Sequence, residues 1–146
     1  AGAVLEVDAD VPIVVNGRTD VFWLGVGDEL DRLDRAVARA NAYAEAGSDC
    51  LFVPGVTDLD TIRALVDRLD APLNVLGGPE APPVGALTEA GVARVSVGSG
   101  PMRATLALLG DIAAELRAEG TYESMNDGIP HGDLKELLEM AAGRGN

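Results

Sequence analysis

The chain has 146 residues, 47% of them hydrophobic and 24% charged, which is the composition of a globular protein and the length of one domain. A formal net charge of −13 at pH 7 argues against nucleic acid or an anionic membrane surface as a partner. No apolar run approaches the ~20 residues of a membrane span, and no signal peptide is visible, so we expect a cytoplasmic protein. The single cysteine, Cys50, excludes an intrachain disulfide and is expected in the core.

Four short apolar runs predict β-strands. Most are nearly continuous in Val, Ile or Leu, as is typical of a strand buried on both faces, and the fourth alternates more. The predicted strands are residues 12–16, 50–53, 72–76 and 93–97.

Helical patterns separate the runs, with apolar residues at spacings of three and four. Asp28 is the expected N-cap of the first helix, and Thr57 or Asp58 that of the second. The predicted helices cover about residues 30–44, 62–69, 84–90, 102–116 and 132–142.

Two joints between a helix and the next strand are alike. Glu-Ala-Gly ends at Gly47 before the second strand and again at Gly91 before the fourth, with glycine where a helix C-terminus needs a left-handed residue. This repetition indicates βα units and a parallel α/β sheet. An open doubly wound sheet fits the alternation too. A barrel is favoured because no Gly-x-Gly-x-x-Gly motif follows the first strand, and because polar residues and glycines follow the strands.

A whole (β/α)₈ barrel needs roughly 200 residues or more. We therefore expect strands 5 to 8 of a TIM-type barrel with their helices, followed by a C-terminal helix. Residues 1–146 are predicted to form a single domain, within which residues 121–146 form a helical tail.

The most informative polar residue follows the first strand. Arg18 lies between Asn16 and Asp20, and a guanidinium at the end of a buried strand requires an anion. The planar fork suits a carboxylate or phosphonate of a ligand. A structural ion pair with Asp20 or another carboxylate explains the pattern equally well, and the sequence leaves both interpretations open.

Later strands end in further candidates. Asn74 is polar within an apolar run, so it either points towards a ligand or ties neighbouring loops together. Gly98 and Ser99 precede a helix whose free N–H groups could hold an anion, although a tight turn that needs glycine explains them as well.

An ordered series of motifs resembles the isocitrate lyase/phosphoenolpyruvate mutase superfamily, and most closely its small bacterial mutase-like branch. Val-Asn-Gly-Arg-Thr-Asp at residues 15–20 is similar to the family motif Asn-Ala-Arg-Thr-Asp. Tyr-Ala-Glu-Ala-Gly-Ser-Asp at 43–49 is similar to the end of a family helix. Residues 52–56, 73–76 and 92–98 follow in the family's order, so the resemblance covers nearly the whole chain up to about residue 120.

The resemblance implies a Mg²⁺-dependent lyase or mutase that makes or breaks a C–C or P–C bond in a small anionic 2-oxo acid or phosphonate. It implies that Arg18 binds the substrate and is catalytic, and it supports substrate contacts from Asn16, Asn74, Gly98 and Ser99. The family's Mg²⁺ ligands belong to the first half of the barrel, so no metal ligand is assigned here. It also implies a homo-oligomer, a dimer or tetramer, in which the tail at 121–146 packs on a neighbouring subunit.

Departures from the family keep other functions open. Lyase members carry Asn-x-Thr-Glu after the third strand, where this chain has Leu76 and Gly77 beyond Asn74. Pro54 also replaces a Glu or His of some relatives. These changes argue against isocitrate or methylisocitrate cleavage. The alternatives are a non-catalytic half-barrel that assembles with another chain, and an unrelated phosphate-binding barrel.

Overall fold

The structure, a computed structural model, describes residues 13–143. Its sheet has four parallel strands that lie side by side in chain order. They are β1 (Asn16–Arg18), β2 (Cys50–Phe52), β3 (Leu73–Leu76) and β4 (Arg94–Ser96).

A helix connects each strand to the next, and two more helices follow the last strand. Short 3₁₀ turns at Glu29–Asp31 and Glu123–Met125 precede the first and last of them. The helices are α1 (Arg32–Glu45), α2 (Leu59–Arg68), α3 (Val84–Glu89), α4 (Gly100–Ala118) and α5 (His131–Gly143). Within the part of the chain described, none of these helices is both long and apolar enough to cross a membrane. The predicted order of parallel βα units is confirmed.

The first strand was predicted too early in the chain. β1 begins at Asn16, where the prediction ended; Pro12 lies outside the described residues, and Ile13 and Val14 are exposed. A strand exists only where it has a partner, and β2 begins at Cys50, which is aligned with Asn16. The pairing therefore extends forward and places Arg18 within the strand.

The two Glu-Ala-Gly joints have the same geometry, as the repeat predicts. Gly47 and Gly91 have φ of +100° and +88°. Ser48 N–H donates to the carbonyl five residues back at 2.9 Å, and Val92 N–H does the same at 3.0 Å. This pattern ends a helix with a left-handed residue and turns the chain directly into β2 or β4.

The helix caps were predicted only in part. Asp58 accepts a hydrogen bond from Thr61 N–H at 2.8 Å, which confirms it as the cap of α2. Asp28 makes no side-chain cap bond. Its prediction as the cap of α1 is wrong because a 3₁₀ turn intervenes and α1 itself begins at Arg32.

One face of the sheet packs against the helices and forms the core. Leu73 and Val75 of β3 contact a buried cluster to which α1, α2 and α3 contribute Val37, Ile62 and Leu87. Because side chains alternate along a strand, Asn74 lies on the opposite face of the sheet. The strand register aligns Arg18 with Phe52 and Phe52 with Asn74, so all three share that second face.

The expectation that the strands are buried on both faces holds for β2 and β3 and fails for the outer two. β1 is half-buried and ends in exposed Arg18, and β4 begins in exposed Arg94. Among the described residues β1 pairs only with β2, and β4 only with β3. An edge strand has a neighbour on one side, so its side chains are less covered.

The structure divides into two compact units, one ending at Gly100 and the other beginning at Pro101. The single domain with a helical tail from residue 121 stays a prediction. In the second unit the carboxylate of Glu115 accepts hydrogen bonds from the Thr121 hydroxyl and from the N–H groups of Glu123 and Ser124, the last two at 2.6 and 2.8 Å. Glu115 therefore fixes the turn after α4.

We predict that this turn titrates in strong acid. Hydrogen bonds from Ser124 and Thr121 lower the pKa of Glu115 from 4.5 to about 2. A lowered pKa means that the contribution to stability is complete above the ordinary pKa of 4.5 and is lost as the pH falls through about 2. The amide NMR signals of Glu123 and Ser124 should shift with a midpoint near pH 2. Glu115→Gln should abolish that shift, and a midpoint near 4.5 would contradict the assignment.

We also predict that the 146-residue chain alone associates or aggregates. Strand edges with free N–H and C=O groups pair with other strands, and closing a barrel of this class takes eight strands rather than four. Light scattering should show oligomers or larger particles. A monodisperse monomer that melts cooperatively in calorimetry would contradict a half-barrel with open edges.

Candidate functional site

The candidate site begins where β1 and β2 end. Arg18, the last residue of β1, is aligned with Phe52, the last residue of β2. Immediately beyond, Thr19 N–H donates to the Phe52 carbonyl at 3.0 Å. The side chains of Arg18 and Phe52 therefore leave the sheet at the same level, on the face opposite the helices. In parallel α/β folds, ligand sites form at this end of the strands.

Arg18 makes two contacts of different kinds. Its Nε–H donates to Asp20 Oδ1 at 2.7 Å. Its guanidinium carbon lies 5.4 Å from the centre of the Phe52 ring. The hydrogen bonds and ion pairs of the described residues include none from Nη1 or Nη2. One edge of the guanidinium is thus held within the chain while the other is available to an anion.

Both interpretations of Arg18 from the sequence are compatible with this geometry. The ion pair with Asp20 exists, but the side chains remain 48% and 40% exposed. Among the described residues β1 is an edge strand, so burial within this chain does not by itself require an anion at Arg18. Pairs this exposed contribute only ~0–1 kcal/mol to stability. Stability alone therefore gives little reason for an arginine here.

Asn16 lies two residues earlier on the same face of β1. Asn16 as a whole is half-buried. Its Oδ1 atom is fully buried and accepts no hydrogen bond from the described part of the chain. The Thr19 hydroxyl is also buried and has no hydrogen-bond partner among the described residues. An unpaired buried polar group costs roughly 1–3 kcal/mol. The described residues thus leave one buried polar group unpaired at the first residue of β1 and another just after its last residue.

Asn74 is fully buried and pairs with the next strand. Its Nδ2 donates to Ser96 Oγ at 3.0 Å, and the same hydroxyl donates to Asn74 Oδ1 at 3.2 Å. Of the two roles left open by the sequence, the tie between neighbours is present, between strands β3 and β4. Direct contact with a ligand stays a prediction, and the second N–H group of the amide is not used by Ser96.

Gly98 and Ser99 form the turn between β4 and α4. Gly98 has a φ of +52°, which favours glycine, and Gly100 N–H donates to the Val97 carbonyl at 3.0 Å. Both residues are exposed. The tight-turn explanation is therefore sufficient for Gly98, and an anion at Ser99 stays a prediction.

The loop after β1 approaches the loop after β2 very closely. A Cβ on Gly55 would lie 2.8 Å from the backbone nitrogen of Trp23, and Gly55 has a φ of +89°. Glycine is thus required there on both grounds. Phe22 packs against the core, whereas the Trp23 side chain is 54% exposed. The loop that carries Asp20 therefore packs closely against the loop after β2 and, through Phe22, against the core.

The described residues do not fit a Mg²⁺ site by themselves. Between residues 13 and 143 no group of three or more His, Cys, Asp or Glu side chains could hold a metal ion. Asp20, the carboxylate next to Arg18, is engaged with its guanidinium. Cys50 is buried with a free thiol, in agreement with its predicted place in the core.

Sequence reasoning missed two residues of this region. Phe52 is part of a family motif, but the sequence did not indicate its contact with Arg18. The two residues end adjacent parallel strands, and this placement alone predicts that they are neighbours. The contact of Ser96 with Asn74 could not be predicted, because it depends on the register between β3 and β4. In that register Ser96 is aligned with Leu76, two residues beyond Asn74 and on the same face of the sheet.

Comparisons with known proteins agree with the fold. The phosphoenolpyruvate phosphomutase family model matches residues 2–117. The 2-methylisocitrate lyase of Escherichia coli is 31% identical over 131 residues, which cover 86% of this chain and 42% of the enzyme. A solved candidate lyase/mutase of Burkholderia cenocepacia is 33% identical, with a TM-score of 0.78 over 90% of this chain and 47% of its own.

A phosphonopyruvate hydrolase, solved in complex with oxalate and Mg²⁺, is 24% identical with a TM-score of 0.61, which shows the fold alone. This chain covers 46% of that structure and spans about half the length of the curated relatives it matches. The solved neighbours are TIM-barrel proteins, so the four parallel strands are half of a (β/α)₈ barrel, as predicted. With its family model matched over most of its length, the chain belongs to the phosphoenolpyruvate phosphomutase family.

Proposed function

We propose that this chain serves a Mg²⁺-dependent lyase or mutase that makes or breaks a C–C or P–C bond in a small 2-oxo acid or phosphonate. Family membership supports the class of chemistry. The observation that carries the proposal is Arg18 at the C-terminal end of β1. Asp20 holds its Nε, and the edge formed by Nη1 and Nη2 has no partner among the described residues.

The free edge of Arg18 suits the substrate class. Two parallel N–H groups match the two oxygens of a carboxylate or phosphonate, and such charge-assisted bonds are about twice as strong as neutral ones. A fixed cation beside the reacting carbons would also stabilise negative charge that develops on an enolate-like species. The described residues do not fit a Mg²⁺ site, so we propose that the ligands of the ion belong to protein outside residues 13–143.

Asn16, Asn74 and Ser99 are secondary candidates for substrate contact. The unpaired Oδ1 of Asn16 could receive a donor from a ligand or from an adjoining strand. Leu76 and Gly77 occupy the positions of the lyase motif's Thr and Glu, and Gly77 N–H is already bonded to the Ser96 carbonyl at 2.8 Å. We therefore propose a substrate other than isocitrate or methylisocitrate.

A non-catalytic half-barrel that assembles with another chain is the second candidate. Two observations favour it: the edges of β1 and β4 have no partner strand among the described residues, and those residues contain no metal-binding group. Family membership removes the third alternative, an unrelated phosphate-binding barrel.

We predict that Arg18→Lys weakens binding of oxalate, tested with Mg²⁺ present in the full-length protein. Lysine keeps the charge and loses the planar fork, so the loss should be about 1.5–3 kcal/mol, roughly 10- to 150-fold in Kd. The melting temperature should fall much less, because the empty site is filled with water and an ion pair in contact with water contributes only ~0–1 kcal/mol. Calorimetric titration and thermal melts of both variants measure the two effects.

Arg63→Lys is the matched control. Arg63 donates to Asp60 at 2.8 Å on the surface of α2, an exposed pair of the same kind away from the ends of the strands. It should leave oxalate affinity unchanged. If Arg18→Lys lowers the melting temperature and spares affinity, Arg18 is a structural ion-pair partner and the second candidate gains support.

We further propose a homo-oligomer, a dimer or tetramer, and predict that it depends on residues 121–146. Along α5 the apolar side chains are 40–63% exposed: Leu134, Leu137, Leu138 and Met140. Exposed apolar residues on one helix favour burial against a partner. Deletion from Thr121 onward should reduce the sedimentation coefficient of the assembly, and an unchanged profile would contradict this role.

A further inference from the structure

Among the residues that the structure describes, Phe52 places its aromatic ring against Arg18. The distance from the guanidinium carbon to the ring centre is 5.4 Å, within the ~6 Å over which a ring attracts a cation. Phe52 is half-buried in the last position of β2, a more constrained place than the exposed end of Arg18. The ring therefore limits the movement of the guanidinium, rather than the reverse.

The backbone fixes this pairing. Arg18 and Phe52 are aligned in the parallel register, and Thr19 N–H donates to the Phe52 carbonyl at 3.0 Å. Asp20 holds Nε at 2.7 Å. The guanidinium is thus restrained by the ring at one contact and by the carboxylate at another. Neither contact involves the edge formed by Nη1 and Nη2, which makes no hydrogen bond or ion pair among the described residues.

We infer that Phe52 is a positioning residue, whose ring holds the Arg18 guanidinium so that its Nη1–Nη2 edge receives the carboxylate or phosphonate of the ligand. This inference rests on the proposed role of Arg18 in binding. Phe52 acts through Arg18 and needs no contact with the substrate. Because an arginine held in place loses less freedom on binding, the ring contributes to affinity without adding a hydrogen bond.

The test is a double-mutant cycle in the full-length protein, read by calorimetric titration of oxalate with Mg²⁺. Phe52→Leu removes the ring and keeps an apolar side chain, and should weaken oxalate binding about two- to five-fold, the range for cation–π pairs at exposed sites. Arg18→Gln removes the cation. In that background Phe52→Leu should have no further effect on affinity, because the ring then has nothing to hold.

Two further variants keep the test independent of folding. Phe52→Tyr retains the ring and should bind oxalate within about two-fold of the unmodified protein. Phe52→Met supplies a second ring-free side chain if the leucine variant does not fold. A merely structural role predicts that loss of the ring weakens binding equally with Arg18 and with Gln at that position, or that tyrosine fails to rescue, and either result overturns the inference.

The cycle also separates this inference from the proposed function. If Arg18→Gln leaves oxalate affinity unchanged, Arg18 does not bind the anion and both fail. If Arg18→Gln weakens binding while Phe52→Leu does not, the role of Arg18 stands and the positioning role of Phe52 is overturned.

Discussion

The hydrogen bond from Thr19 N–H to the Phe52 carbonyl determines where β1 ends relative to β2, and the rest of the candidate site depends on it. It sets Arg18 level with Phe52 on the face of the sheet away from the helices. The chain then leaves the strand, so Asp20 can turn back to the guanidinium. A shift of this register by one residue would move the Arg18 side chain to the helix-covered face.

The same parallel geometry accounts for the relation between this chain and its relatives. Four strands in chain order, joined by helices that cover one face, form half of the barrel found in proteins about twice as long. The outer strands are therefore less buried than the central ones. Polar side chains collect on the face opposite the helices, with Asn74 and Ser96 paired across β3 and β4. In a complete barrel that face is the interior.

Several features could be read from the sequence because they depend on local chemistry. The positions of Gly47 and Gly91 predicted left-handed helix ends. The sequence predicted Thr57 or Asp58 as the cap of α2, and the structure shows Asp58. The order of strands and helices followed from apolar periodicity. The beginning of β1 could not be read in this way, since residues 13–15 are as apolar as a strand and only the position of β2 decides which of them pair.

The site was predictable in its residue types and less so in their contacts. The motif around Arg18 indicated an anionic ligand, with Asp20 as the alternative partner. How much the Arg18–Asp20 pair stabilises the fold depends on its exposure, and that exposure is set by the position of β1 in the sheet. The pairing of Asn74 with Ser96 likewise depends on the register between two strands that are 22 residues apart in sequence.

A crystal structure of the full-length protein with oxalate and Mg²⁺ tests the central claim, that the free edge of Arg18 receives the anion, most directly. The account predicts two ligand oxygens within hydrogen-bonding distance of Nη1 and Nη2, with Asp20 still on Nε and the Phe52 ring still against the guanidinium. Oxalate bound with its oxygens on other groups, and Arg18 engaged only with Asp20, would contradict it.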